Sequence, residues 1–186
     1  MEQSLPSGIV SFMDVFKMAG AVWDKSHGFT VNPLFDIEIV SIDGKPVRYS
    51  RSLEIKPDKS ISDLKTTDLI LVPSSGYDIN TLGPYPWEMT DWLALHHGQG
   101  TRIAAGCTGV FLLAEAGLLD GRTATTHWGY VDLFRQRYPR VLMNPDQMIT
   151  RDNQLFCAGG GSAGIDLCLH LIEDYSGRKV ANRCAK

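Results

Sequence analysis

Between Arg102 and Leu113 the chain passes from strand to helix with no loop between them. Arg102-Ile103-Ala104-Ala105-Gly106 reads as an apolar strand, Thr108-Gly109-Val110-Phe111-Leu112-Leu113 as the start of an apolar helix, and Cys107 stands at the junction. A side chain on so sharp a turn projects above the sheet edge, and the unpaired amides of a helix start favour negative charge beside it, so the pattern points to a reactive thiol. Gly106 and Gly109 are expected to supply the backbone freedom that the turn needs.

The surrounding periodicity alternates strand and helix, which implies a layered α/β domain with a mostly parallel sheet. Ile9 to Ala21 reads as a helix with Phe12, Val15, Phe16 and Ala19 on one face. Phe35 to Ile42 alternates as a strand, and Asp43-Gly44 signals a hairpin turn into Pro46 to Ser50. Leu53 to Ile55 is a short strand, Asp68 to Pro73 a compact apolar one ending in the loop Ser74-Ser75-Gly76-Tyr77, and Pro86 to His97 a helix. After the junction come a strand from Thr123 to Thr126, a helix from Trp128 to Arg137 stopped by Pro139, and a hairpin pairing Met148 to Thr150 with Leu155 to Ala158. A long helix from Ala163 to Tyr175 follows, with Ile165, Cys168, Leu169 and Ile172 as its apolar face. A parallel α/β domain ordinarily opens with an apolar strand, whereas this chain goes from Met1-Glu2-Gln3-Ser4-Leu5-Pro6-Ser7 straight to helix. The expectation is a domain over residues 1–177 whose first strand is missing, with residues 178–186 beginning a linker.

At 186 residues the chain suits one domain with a sizeable core, and a formal net charge of -3 leaves no basic footprint for a nucleic-acid groove or an anionic membrane. Without a leader pattern or a bilayer-length apolar run, the chain reads as cytoplasmic. Cys107, Cys157, Cys168 and Cys184 lack metal-finger spacing, which implies free thiols and no metal or other cofactor.

A cysteine nucleophile needs a partner for its proton, and His127, at the end of the strand after the junction helix, is the candidate base. Equally, Cys107 can be a small residue filling a turn and His127 a hydrogen-bonded loop histidine. Gly159-Gly160-Gly161-Ser162-Ala163-Gly164 has the spacing of a dinucleotide fingerprint, but no strand with an acid follows it, so it reads as a tight turn with Ser162 capping the next helix. His96-His97 point to different sides of a helix and read as a solvated pair. Tyr85, Trp87, Met89 and Trp92 read as packing residues, and Tyr77 lies where open α/β sheets place ligands.

Ala104-Ala105-Gly106-Cys107-Thr108-Gly109, then Leu113-Ala114-Glu115-Ala116-Gly117-Leu118-Leu119-Asp120-Gly121, then Ala124-Thr125-Thr126-His127-Trp128 together resemble the ThiJ/PfpI superfamily, the class I glutamine amidotransferase-like group. Within it the chain is most similar to the amino-terminal domain of GlxA-like regulators of the AraC family. The resemblance implies a flavodoxin-like three-layer sandwich with a nucleophile elbow at Cys107 and helices on both faces of the sheet. It also implies a homodimer and a helix-turn-helix domain beyond Lys186 that would alone contact DNA. The superfamily's nucleophile falls on Cys107 and its histidine on His127. Its acidic position falls on Gly8, and Asp14 lies too far along the helix to substitute. The expected function is therefore sensing of a nitrogenous or amino-acid-like small molecule near Ser75, Gly76, Tyr77, Cys107, Thr108 and His127. The alternative is a cysteine enzyme resembling isonitrile hydratase or another hydrolase, against which Gly8 counts.

Overall fold

Three apolar runs, 69–72, 103–105 and 155–158, divide their side chains between two cores, and that division sets the layers. In the computed structural model, which describes residues 5–76, 78–79 and 85–186, the chain runs α1 (Pro6–Met18), α2 (Ala21–Ser26), β1 (Val40–Ser41), β2 (Val47–Arg48), β3 (Glu54–Ile55), β4 (Lys59–Ser60), β5 (Leu69–Val72) and α3 (Trp87–Gly98). It continues through β6 (Arg102–Gly106), α4 (Val110–Glu115), β7 (Thr123–Ala124), α5 (Val131–Arg137), β8 (Leu142–Met143), β9 (Ile149–Asp152), β10 (Leu155–Ala158), α6 (Ala163–Ser176) and α7 (Arg178–Cys184).

The main sheet has the order β5-β6-β10-β9, with β5, β6 and β10 parallel and β9 antiparallel to β10. Ile103, Ala105, Leu155 and Cys157 face a core built with Leu93, Phe111, Leu113 and Phe134. Ala104, Phe156 and Ala158 face the opposite core, built with Phe12, Phe16, Leu167 and Leu171. Strand alternation thus packs helices on both faces, and each large side chain buried contributes about 1.5–3 kcal/mol. The ring of Phe12 rests over two glycines: a Cβ on Gly106 would lie 3.3 Å from its Cζ, and one on Gly164 would lie 3.0 Å from its Cε1.

Several local expectations shift. Helix α1 begins early because Pro6 occupies its first turn, and Gly20 at φ 80° separates it from α2. No ladder forms across Asp43-Gly44: β1 pairs in parallel with β4, and β2 pairs with β3. Asp43 Oδ1 instead accepts from Lys45 N–H at 3.1 Å, a local turn that leaves the edge of β1 to the more distant Lys59–Ser60. On α6 the buried face is Ala163, Gly164, Leu167, Cys168, Leu171 and Ile172, whereas Ile165 is exposed, since the helix is covered by both α1 and the sheet. Ser162 stands at the start of α6 without making a side-chain cap.

His96 and His97 are not a solvated pair. His96 is only 2% exposed, its ring is 4.6 Å from that of Trp92, and burial pushes its pKa down. Tyr85, Met89 and Trp92 pack on the core as expected, but Trp87 is exposed. Residues 178–184 are helical and docked: Ala181 is buried in the α1/α6 core, and the Arg183 guanidinium sits 3.7 Å from the centre of the Trp23 ring on α2. No helix among the described residues is long and apolar enough to cross a membrane.

The turn after β6 packs against β5 without room for one extra carbon. A Cβ on Gly109 would collide with the Pro73 carbonyl oxygen and reach 2.9 Å from that of Val72. Because both obstacles are backbone, Gly109→Ala is expected to lower stability by about 1–3 kcal/mol or more, measured by urea unfolding, while Gly98→Ala, at the open end of α3 with an ordinary φ, costs less.

Candidate functional site

Cys107 itself takes the strained conformation. Its φ of 57° lies in the left-handed region, while Gly106 at φ −111° and Gly109 at φ −61° are ordinary. The two glycines therefore provide space, for Phe12 and for β5, and the side-chain-bearing residue carries the strain, a cost of about 1–2 kcal/mol. Neighbouring segments hold it there. Cys107 N–H donates to Gly159 O at 3.1 Å, just past β10, and Cys107 O accepts from Thr126 Oγ1 at 2.9 Å. The side chain that results is half-buried, unlike Cys157 and Cys168, whose thiols burial pushes up to about 12 and so keeps inert.

Thr126 leads directly into His127, so the hydrogen bond to Cys107 O also brings the imidazole to the same end of the sheet. His127 Nδ1 accepts from Gly129 N–H at 3.1 Å. A neutral ring with Nδ1 as acceptor carries its proton on Nε2, and burial holds the His127 pKa below the ordinary value, which favours that neutral form. One edge of the ring lies on Gly160, where a Cβ would collide with Cδ2 and come 3.0 Å from Nε2. Trp128, 81% exposed, stacks beside it with ring centres 5.4 Å apart.

The loop after β5 forms the third wall, closed by a ring of hydrogen bonds. Thr108 Oγ1 donates to Gly76 O at 2.8 Å, which spends its one proton, so Ser74 Oγ is the donor in its 2.8 Å contact with Thr108. Gly76 N–H returns to Ser74 Oγ at 3.2 Å. Ser75 Oγ accepts from Tyr85 OH at 3.0 Å. Ser75, Gly76 and Thr108, all named from sequence, are thus brought beside Cys107 but buried, shaping the loop through their own bonds. Tyr77 lies outside the described residues.

Gly8 packs under the same loop, where a Cβ would sit 3.5 Å from that of Pro73. Asp14, six residues further along α1, is exposed and about 9 Å away along the helix axis. Among the described residues no three His, Cys, Asp or Glu side chains converge as a metal site. Sequence reasoning missed Ser74, Thr126, Gly160 and Trp128. The Thr125-Thr126 pair ahead of His127 and the glycine run facing it were the available signals.

A model of the DJ-1/PfpI family matches residues 29–174. The HTH-type transcriptional regulator CdhR of Pseudomonas aeruginosa is 33% identical over 148 residues, which cover 80% of this chain and 43% of that protein. Isonitrile hydratase of Pseudomonas putida is 34% identical over 152 residues, covering 80% of this chain and 63% of the enzyme. The chain therefore spans under half of the regulator's length and under two thirds of the enzyme's. Among solved structures, an AraC family transcriptional regulator from Pseudomonas putida superposes with a TM-score of 0.75 at 22% identity, over 98% of this chain and 91% of that one. The likeness confirms the flavodoxin-like α/β fold.

Two measurements check the site's construction. Thr108→Val leaves the Ser74 hydroxyl and Gly76 carbonyl without their partner and is expected to cost about 1–3 kcal/mol in urea unfolding, whereas Thr108→Ser retains most of it. Gly160→Ala is expected to push the His127 ring outward into water. Its pKa, followed by NMR titration of the ring protons, should then rise toward the ordinary 6.5 from its lower value in the parent protein.

Proposed function

The chain belongs to the DJ-1/PfpI family, and from that premise we propose that it is the ligand-sensing and dimerisation domain of an AraC-type transcriptional regulator. The observation that carries the reading is the hydrogen bond from Gly129 N–H to His127 Nδ1. A base takes up a proton on its unprotonated nitrogen, which here is already committed to a backbone amide; the neutral ring is instead a donor through Nε2. With Gly8 where a carboxylate would stand, no acid at that position offsets the preference. A donor imidazole, a half-buried thiol floor at Cys107 and the exposed indole face of Trp128 suit recognition of a nitrogenous or amino-acid-like small molecule, with an acceptor group toward His127 and a cationic or apolar part toward Trp128.

The likeness to the HTH-type regulator CdhR supports the same division of labour. The domain boundary falls near residue 177, the docked α7 opens the passage out of it, and a helix-turn-helix unit beyond would read DNA. The acidic balance of this domain leaves phosphate contacts to that unit. The protein would act in the cytoplasm as a homodimer whose geometry the effector biases by binding one arrangement more tightly than another.

A second reading draws on the elbow. Cys107, at φ 57° on a strand-to-helix turn, has the backbone of an activated nucleophile, and isonitrile hydratase is 34% identical to this chain. In that reading Cys107 attacks the substrate carbon and His127 manages the proton.

Thermal-shift screening of amino-acid-like and cationic nitrogen compounds separates the two. A sensing domain yields a ligand that stabilises the protein by about 2.7 kcal/mol at a hundred times its Kd. His127→Phe should abolish the shift and Cys107→Ala should preserve it. Isonitrile consumption should be equally absent from the parent protein and from Cys107→Ala; turnover that disappears with the thiol would overturn the sensing reading.

A further inference from the structure

The chain leaving α4 and the chain leaving α5 meet around a polar cavity of about 260 Å³ that shares no residue with the Cys107 pocket. Glu115, the last residue of α4, lines it with Gly117 and Asp120; Arg137, the last residue of α5, lines it with Tyr138 and Arg140. The charged side chains here do not pair off evenly. Asp120 is bridged to Arg140, so those two satisfy each other. Glu115 and Arg137 share the cavity without an ion pair between them, and among the described residues Arg137 has no acidic partner at all.

Tyr138 accounts for the open pair. Its hydroxyl donates to Glu115 Oε2 at 2.6 Å, which ties the carboxylate to the α5 side and leaves Oε1 for another donor. Arg137 stands in the last turn of α5, where a cation complements the helix carbonyls, and its guanidinium donors remain available. Both charges bear on the same two phenols. Burial pushes the hydroxyls of Tyr85 and Tyr138 up in pKa, and at each of them Glu115 adds to the rise while Arg137 opposes it. A Cβ on Gly117 would meet nothing within 4 Å among the described residues, so the rim beside Glu115 is clear.

An acid and a base held apart over one cavity, each with bonding capacity to spare, match a solute that carries the opposite charges in the opposite places. A simple anion would gain Arg137 but meet the Glu115 carboxylate, and a simple cation would face the reverse. A molecule with both charges gains at both ends. We propose that this cavity binds a small zwitterion, an ammonium and a carboxylate joined by a short carbon chain, with the ammonium on Glu115 Oε1 and the carboxylate on the Arg137 guanidinium. Both side chains are exposed, so solvent weakens each contact and affinity is expected in about the millimolar range. The site does not depend on how the Cys107 pocket is used.

The probes are glycine, β-alanine, γ-aminobutyrate and δ-aminovalerate, which carry their two charges at increasing separation. Butylamine and butyrate are the single-charge controls, and the readout is the NMR shift of the Glu115 and Gly117 amides and of the Tyr138 ring. One length in the series is expected to bind at least about tenfold more tightly than either control, with saturating shifts at these positions and none at His127. Glu115→Gln, which keeps an acceptor for Tyr138, should reduce that zwitterion to the affinity of butyrate, and Arg137→Gln should reduce it to that of butylamine. Urea midpoints equal to the parent's separate lost binding from lost structure, and the comparison of zwitterions with controls on the parent protein stands whether or not a variant folds. Equal binding of zwitterions and controls, no saturation anywhere in the series, or a preference that survives both substitutions overturns the proposal. So do shifts that gather at His127 instead, which would assign the zwitterion to the Cys107 pocket.

Discussion

The approach of Gly109 to the carbonyls of Val72 and Pro73 is the contact on which the rest of the molecule depends. It sets the turn after β6 directly against the end of β5, closer than any residue with a β-carbon could come. At that separation Thr108 reaches Gly76 and Ser74, closing the loop that walls the site, and the chain must leave β6 so abruptly that Cys107 is forced to φ 57°. Both the strain and the loop descend from one missing methyl group. The strain persists because Gly159 and Thr126 grip the Cys107 peptide from two other segments.

Chemical character at the site follows from proton placement more than from residue identity. A cysteine, a histidine and a helix start can serve nucleophilic chemistry or simple binding, and the difference rests on which ring nitrogen carries hydrogen. Gly129 bears on that locally, since its backbone amide, two residues on, donates to Nδ1 and leaves the proton of the neutral ring on Nε2. The remaining cysteines show the contrast: Cys157 and Cys168, sealed in the two cores, are small hydrophobic residues that happen to contain sulfur.

Elements whose partners are local or strongly apolar were legible in the sequence. The strands around 69–72, 103–105 and 155–158, the hairpin of β9 with β10, and the helices at 87–98 and 163–176 all carry long periodic runs bounded by turn residues. What escaped depended on distant pairing. Phe35 to Ile42 alternates well, but only Lys59–Ser60 decides which of its residues become strand, and the strong Asp43-Gly44 signal describes a turn without a ladder. His96 looks like a surface residue until Trp92 and the segment around Leu64 close over it. In the site, Cys107 and His127 were visible as residue types at a junction. Thr108 was visible too, but not that its hydroxyl is consumed by the loop, and Gly160 looked like turn punctuation because the ring it accommodates comes from more than thirty residues away.

Phe12 occupies a seat formed by two glycines, Gly106 beside the Cys107 turn and Gly164 in the first turn of α6. An aromatic ring held against two surfaces without side chains behaves as a bearing: it resists separation, since its buried face would be exposed, but has no interlocking knobs to oppose a small roll. Helix α1 rests on that seat, α2 packs against α1, and Trp23 on α2 is stacked with Arg183 of α7. A slight rotation of α1 beside Cys107 would therefore be passed through α2 to α7, some distance from the site itself.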